Sequence, residues 1–290
     1  MSAGESESSL ISVLYVDDEA DLLMIGKIFL ERSGQFRVDT VPSANTALSS
    51  CRIQSYDAIV SDYQMPGMDG IEFLKTVREQ FGDIPFILFT GRGREEVVIE
   101  AINNGADFYL QKGGEPKSQF AELSHKIRQA VRRKQAEVLV RESEKRVSDI
   151  INFLPDGTFA INREGEVIAW NRALEEMTGF SAASLLGKKH DVYRAAFFSE
   201  DRPLLIDLID KPDEIIRDYY SYFYRDGSSI AAESQTRKLN GDPIFVTIKV
   251  NWLYNQEGEI TGAIESIRDI TYLKNTEREL KKSEQRYRSI

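Results

Sequence analysis

The sequence predicts two domains of different class. Residues 10–130 read as an α/β doubly wound (βα)5 domain, and residues 147–271 as an α+β domain with a five-stranded antiparallel sheet, the two joined by a long helix. Three observations carry this reading. Short apolar runs alternate with helical periodicity through the first half. Several of those runs end in an acidic, hydroxyl or basic residue. Beyond Pro155 the rhythm changes to alternating strands separated by turns that contain Gly.

Residues 1–9 are small, polar and acidic, and are expected to be a disordered tail. The run Ile11-Ser-Val-Leu-Tyr-Val16 leads into Asp17-Asp18-Glu19. A helix follows with Leu22, Ile25, Gly26, Phe29 and Leu30 on one face, closed by Gly34. Residues 36–41 read as the second strand, and Ser43 as the cap of a helix that turns Ala44, Ala47 and Leu48 inward. The third strand, 58–60, is bounded by a Pro/Gly-rich loop and leaves Asp62 at its carboxyl end; Ile71, Leu74, Val77 and Phe81 mark the next helix. Residues 85–89 run into Thr90-Gly91, and Val98, Ala101 and Ile102 mark a helix that stops at Gly105. A last strand, 108–110, precedes Lys112, and the final helix begins near Pro116.

Open α/β sheets place their sites at the carboxyl edge of the strands. If these strands are parallel neighbours, Asp17, Asp18, Asp62, Thr90 and Lys112 converge on one patch. Three carboxylates in one pocket repel one another unless a divalent cation neutralises them, and an oxygen-only ligand set favours a hard ion such as Mg²⁺. A carboxylate beside such an ion can attack a phosphoryl group, a reaction that asks for positioning and charge neutralisation. On this reading Asp62 is the nucleophile, Lys112 pairs with the charge, and Thr90 donates a hydrogen bond to a phosphoryl oxygen.

Residues 10–130 resemble the receiver domain of bacterial and archaeal response regulators. The resemblance rests on the acidic pair Asp17-Asp18, on Asp62 with its Met65-Pro66-Gly67-Met68-Asp69-Gly70 loop, on Thr90, and on Lys112 after Gly105-Ala-Asp-Phe-Tyr109. It implies a flavodoxin-like sheet, Asp62 as phosphoacceptor, and Mg²⁺ held by Asp17, Asp18 and Asp62 with the backbone carbonyl of Gln64. It also implies Tyr109 as an aromatic switch that turns inward when the threonine moves. Two positions depart from the usual pattern. Gly113-Gly114 stands where the family usually has Pro after the lysine, so a looser loop is expected. Gln64 and Arg92 occupy the two positions that tune dephosphorylation in the family, and Arg92 is expected to shield the acyl phosphate.

Helical spacing continues past this domain through Phe120, Leu123, Ile127, Val131 and Val138, with charged residues on the other faces. Residues 116–150 are therefore expected to form a connector helix whose apolar stripe pairs with a second chain. His125 on this helix is followed by Lys126, not by the acidic residue of a kinase phosphoacceptor motif, and reads as a solvated residue.

In the second domain, residues 159–161 and 167–170 flank a turn at Arg163-Glu-Gly-Glu166, forming a hairpin. Asn171 and Ser181 each start a short helix, ending at Gly179 and Gly187. Strand candidates follow at 214–224, 230–239, 244–254 and 260–267. The ordered set Ile151-Asn-Phe-Leu-Pro-Asp-Gly157, Trp170-Asn171, Met177-Thr-Gly-Phe-Ser181, Leu186-Gly187 and Gly262-Ala-Ile-Glu-Ser-Ile-Arg-Asp-Ile-Thr271 resembles a PAS sensor domain with its C-terminal PAC motif. The resemblance leaves the ligand unknown. His190 is displaced from the position of a haem ligand, and without a cysteine in this half a flavin–cysteine adduct is excluded. The cluster Tyr219-Tyr220-Ser-Tyr222-Phe223-Tyr224 is read as alternating along a strand, where it would line either a pocket or a packing face. Residues 272–290 read as a further helix. Its Ser283-Glu-Gln-Arg286 repeats Ser143-Glu-Lys-Arg146 at an offset of 140 residues, as at the start of another PAS repeat.

A net charge of −10 argues against a nucleic-acid surface. One cysteine, Cys51, suits a reducing compartment, and no apolar run approaches the length of a membrane span. The expected protein is cytoplasmic, binds neither nucleic acid nor membrane, and forms a homodimer through receiver, connector or PAS domain. It takes phosphate from a histidine kinase or phosphotransfer protein. The alternative is the input half of a hybrid sensor histidine kinase. No kinase ATP-binding domain is recognisable, so the chain is not expected to be an enzyme beyond catalysing its own phosphoryl transfer.

Overall fold

The computed structural model describes residues 10–49, 52–91, 95–197, 202–237 and 243–288. The expected tail, Cys51 and Arg92 lie outside them, as does the side chain of His190. The backbone divides into two units, 1–142 and 143–290. No helix among the described residues is long and apolar enough to cross a membrane.

In the first unit, strands β1 (Ile11–Val16), β2 (Phe36–Val41), β3 (Ala58–Ser61), β4 (Phe86–Thr90) and β5 (Phe108–Gln111) form a five-stranded sheet in the order β2-β1-β3-β4-β5. Every pairing is parallel. Helices α1 (Ala20–Glu31), α2 (Ala44–Ser49), α3 (Gly70–Phe81), α4 (Glu95–Asn103) and α5 (Pro116–Phe153) alternate with the strands. Successive side chains on a strand point to opposite faces, so each strand feeds two cores. Val13, Tyr15, Val60 and Phe89 pack with Leu23 and Leu30 of α1 and with Phe120, Leu123 and Ile127 of α5. Leu14, Val16, Ile59 and Leu88 pack instead with Ala44, Ala47, Ile71, Leu74, Val77 and Ala101. Ser43 caps α2 through its Oγ, which accepts from Thr46 N, and Asp69 caps α3 in a reciprocal box with Glu72.

Two helical faces match the expected ones at Gly26, Leu30 and Ala101 and differ from them at single positions. Leu23 is buried where Leu22 is half-buried. On α4, Val97 and Ala101, four apart, face the core, which leaves Ile102 at 59% exposure. The apolar stripe on α5 also divides. Phe120, Leu123, Ile127 and Val131 are absorbed by the sheet of their own unit, whereas Val138 is 43% exposed. The residue division falls within this 38-residue helix.

In the second unit, β6 (Gly157–Asn162), β7 (Val167–Trp170), β8 (Phe223–Asp226), β9 (Ser229–Arg237), β10 (Pro243–Tyr254) and β11 (Ile260–Asp269) form an antiparallel sheet in the order β7-β6-β11-β10-β9-β8. The sheet has six strands rather than the five expected, matching in number the six strand segments read from the sequence. Helices α6 (Arg172–Thr178), α7 (Ala182–Leu185), α8 (His190–Arg194) and α9 (Asp213–Tyr219) and a 3-10 turn (Leu205–Leu208) lie between β7 and β8, and α10 (Thr271–Arg288) follows β11.

The expected strand at 214–224 is corrected. Pro212 occupies the N-cap position of α9, Asp213 and Glu214 sit in its first turn, and Ile216 and Tyr220, four apart, are buried together in the core. Only residues 223–226 extend into the sheet, as the short edge strand β8 that pairs with β9. Gly262 lets β11 lie close to β6, since a Cβ there would sit 2.0 Å from the Ile161 carbonyl oxygen.

Candidate functional site

The strand order reverses direction between β1 and β3, and the site lies at their carboxyl ends. β1 delivers Asp17 and Asp18, β3 delivers Asp62, β4 ends in Thr90, and β5 leads into Lys112. Pairing in register, Val16 beside Ser61, sets Asp17 and Asp62 on neighbouring strands. One carboxylate oxygen from each of Asp17, Asp18 and Asp62 lies within 4.8 Å of the others, and among the described residues this is the group suited to hold a metal ion.

Lys112 bridges two of them. Its Nζ lies 2.7 Å from Asp17 Oδ2 and 3.1 Å from Asp62 Oδ1. The first contact is a hydrogen bond. The second is close without being aligned, and Asp62 Oδ1 is buried with no hydrogen-bond partner. Asp62 Oδ2, by contrast, accepts from Gln64 N at 3.0 Å. Asp17 is tied down further by Glu19 N, at 3.0 Å from Oδ1, and by Tyr15 Oη, at 3.3 Å from Oδ2. Burial pushes the Asp17 carboxyl above the ordinary carboxylate range, and the hydrogen bond and charge of Lys112 oppose that shift. Burial, with Asp17 beside it, raises the Tyr15 phenol as well.

One carboxylate oxygen is thus left bare beside an ammonium and two further acids. Hard divalent ions take carboxylate oxygens of this kind, and the donor set fits one. Lys112 N donates to Thr90 O at 2.7 Å, which locks the ends of β4 and β5 together beneath the cluster. Gly70 is required by proximity: a Cβ there would lie 2.3 Å from the Asp62 carbonyl oxygen and 2.8 Å from Leu88 Cδ2. Gly113 and Gly114 adopt φ of 154° and 86°, backbone that side chains other than glycine rarely take. Tyr109 is half-buried on β5, and its Oη is buried without a partner. Burial and then the Asp62 charge raise its phenol. His125 is exposed on α5.

Tyr15 was not among the residues singled out from sequence, although it precedes Asp17 by two positions on the same strand face. The second unit holds a polar cluster that the sequence reading also missed. Glu265 on β11 is completely buried, and Tyr193 Oη donates to Asp207 Oδ1 at 2.7 Å. The alternation Ala263, Glu265, Ile267, all buried, is the local signal that would have found Glu265. The tyrosine cluster is split: Tyr220 is buried beyond α9, and Tyr222, Phe223 and Tyr224 line an open groove with Arg217.

Residues 13–153 match the family model of the response regulator receiver domain, and residues 155–272 match a PAS domain. The transcriptional regulatory protein FixJ of Bradyrhizobium diazoefficiens is 31% identical over 137 residues, covering 47% of this chain and 67% of that protein. Response regulator Rre1 of Synechocystis is 34% identical over 128 residues, 43% of this chain and 54% of that one. The two-component response regulator ORR6 of Oryza sativa subsp. japonica is 35% identical over 131 residues, 43% of this chain and 75% of its own length. The chain therefore spans from about half to three quarters of these relatives.

Proposed function

Because the chain belongs to the response regulator receiver family and carries a PAS domain after its receiver, we propose that it is a phosphorelay protein in which Asp62 accepts a phosphoryl group from a partner histidine kinase or phosphotransfer protein. The observation that carries this reading is the buried Asp62 Oδ1, which accepts no hydrogen bond and is paired by charge with Lys112 beside Asp17 and Asp18. Asp17, Asp18, Asp62 and the Gln64 carbonyl would hold Mg²⁺, which supplies neutralising charge for the phosphoryl oxygens.

The Asp62 carboxylate attacks phosphorus in line. An O–P bond forms as the P–N bond of the donor phosphohistidine breaks, and the imidazole leaves with a proton from solvent. Lys112 then holds a phosphoryl oxygen, and the Thr90 hydroxyl donates to another. Tyr109, whose hydroxyl has no partner to give up, turns towards the space that Thr90 leaves. The output is protein interaction. Val138, Leu139, Val140, Val147 and Ile150 are exposed along α5 and supply apolar surface for pairing with a second copy.

Incubation of the chain with Mg²⁺ and acetyl phosphate, followed by intact mass and oligomeric state, tests this. Wild type gains one phosphoryl group and shifts its oligomeric state, and Asp62→Ala does neither. A mass gain that survives in Asp62→Ala, or no gain in wild type, would overturn the assignment of the acceptor. A mass gain without an oligomer shift would move the output to a different partner.

A further inference from the structure

Glu265 lies at the middle of β11, opposite Phe159 of β6 and Val250 of β10. Its carboxyl is completely enclosed. Oε2 accepts from Ile206 N, in the 3-10 turn, at 2.7 Å, whereas Oε1 is buried with no hydrogen-bond partner. The Tyr220 hydroxyl, contributed by the residue after α9, is buried as well, without an aligned hydrogen bond, and lies within reach of the Leu205 backbone and of the Glu265 charge.

The charged groups around this carboxyl are engaged elsewhere. Asp207, on the 3-10 turn, takes Tyr193 Oη and Arg194 Nε of α8 at 2.7 and 2.9 Å, and accepts from Leu204 N at 2.9 Å. Arg202 lies over the Tyr220 ring, 5.0 Å from its centroid. No described residue forms an ion pair with Glu265, and Asp207 contributes charge of the same sign. A carboxylate enclosed in this way, with one N–H and no cation, is strongly disfavoured against its neutral acid.

We propose that Glu265 is a proton-binding site of the PAS domain, held as a neutral carboxylic acid in the folded state, whose ionisation loosens the 205–208 turn from β11. The O–H bond breaks heterolytically and the proton passes to water or hydroxide. The remaining charge falls on a carboxyl whose Oε1 has no donor. Opening of the turn, which carries Ile206, is the route by which water reaches that oxygen. Enclosure, with Asp207 adding to it, pushes the carboxyl up to about 8, so the transition falls near physiological pH. This site is independent of phosphoryl transfer at Asp62.

The test is a pH titration of the full chain from about pH 5 to about pH 9.5, a span that brackets the ordinary and the shifted carboxyl. Infrared spectra of wild type against Glu265→Gln follow the protonated-carboxyl C=O stretch, and NMR follows the Ile206 amide. The expected result is a carboxylic-acid band at neutral pH in wild type that is missing in the variant. That band is lost with a midpoint near 8, and the Ile206 amide shifts with the same midpoint. A band that titrates near 4.5, or one that persists in Glu265→Gln, would overturn the proposal. Should the variant fail to fold, the wild-type Ile206 amide alone decides: no inflection near 8 refutes the assignment, and an inflection there supports it.

Discussion

Replacing Glu265 with Gln should change the stability of the PAS domain in a pH-dependent way whose sign follows from the structure. In the folded domain the carboxyl keeps its proton up to about 8, and in the unfolded chain it loses it near 4.5. Stability from this group is therefore fully present below 4.5 and lost as pH rises towards 8. At about 1.4 kcal/mol per pH unit, the loss reaches about 3 kcal/mol at neutral pH and about 5 kcal/mol above the folded-state value. Glutamine keeps an acceptor for Ile206 N–H and never ionises. The variant should match wild type near the unfolded carboxyl value and become about 3 kcal/mol more stable at neutral pH, an upper figure because a denatured chain retains some burial. Urea unfolding of the full chain at a series of pH values, with the PAS transition followed by far-UV circular dichroism, provides the measurement. Parallel curves for the two proteins, or a variant whose advantage shrinks as pH rises, would refute the reasoning.

Four further outcomes follow from the geometry. Lys112→Ala leaves the buried Asp17 and Asp62 carboxylates without their cation, so the receiver should lose about 3 kcal/mol, and added Mg²⁺ should restore part of it; thermal melts with and without Mg²⁺ read this, and equal melts in Lys112→Ala refute it. Gly70→Ala drives a methyl group against the Asp62 carbonyl, and about 2 kcal/mol should be lost in denaturant titration. Asn171→Ala removes a buried side chain that accepts from Thr158 N and Leu174 N and donates to the Ile151 and Asp156 carbonyls. Orphaning those groups should destabilise the PAS domain by about 3 kcal/mol, and an unchanged transition midpoint would contradict that network. Asp18→Ala keeps the buried pair of Asp17 and Lys112 but removes the exposed acid of the proposed Mg²⁺ site, so phosphorylation by acetyl phosphate should need a much higher Mg²⁺ concentration.

The receiver's strands and the residues at their ends were legible because both signals are local: an apolar run, then a polar residue at its end. What brings Asp17 and Asp62 together is the sheet order, which no window of sequence contains. Helical faces were legible to within one position. Leu22 and Leu23 are both apolar, and only packing against Tyr15 and the sheet decides which turns inward. In the second domain, the aromatic residues from Tyr219 to Tyr224 carry strong strand propensity and hid a helix. The start signal Pro212-Asp213-Glu214 and the four-residue step from Ile216 to Tyr220 prevailed because they bury two side chains in the core. The alternation of Ala263, Glu265 and Ile267 marks Glu265 as inward-facing, but its partner, Ile206, lies 59 residues away and no local pattern names it.

The strand order β2-β1-β3-β4-β5 has a consequence for biosynthesis. The pocket draws on residues from Asp17 to Lys112, and the ammonium described there, Lys112, directly follows β5, the last of the five receiver strands to leave the ribosome. An emerging chain with β1 and β3 in place has its acids crowded and uncompensated until β5 docks. Any ion that binds only the finished cluster stabilises the finished fold through mass action. On the proposed function, phosphorylation at Asp62 would therefore mark only those chains in which β5 has docked and brought Lys112 to the acids.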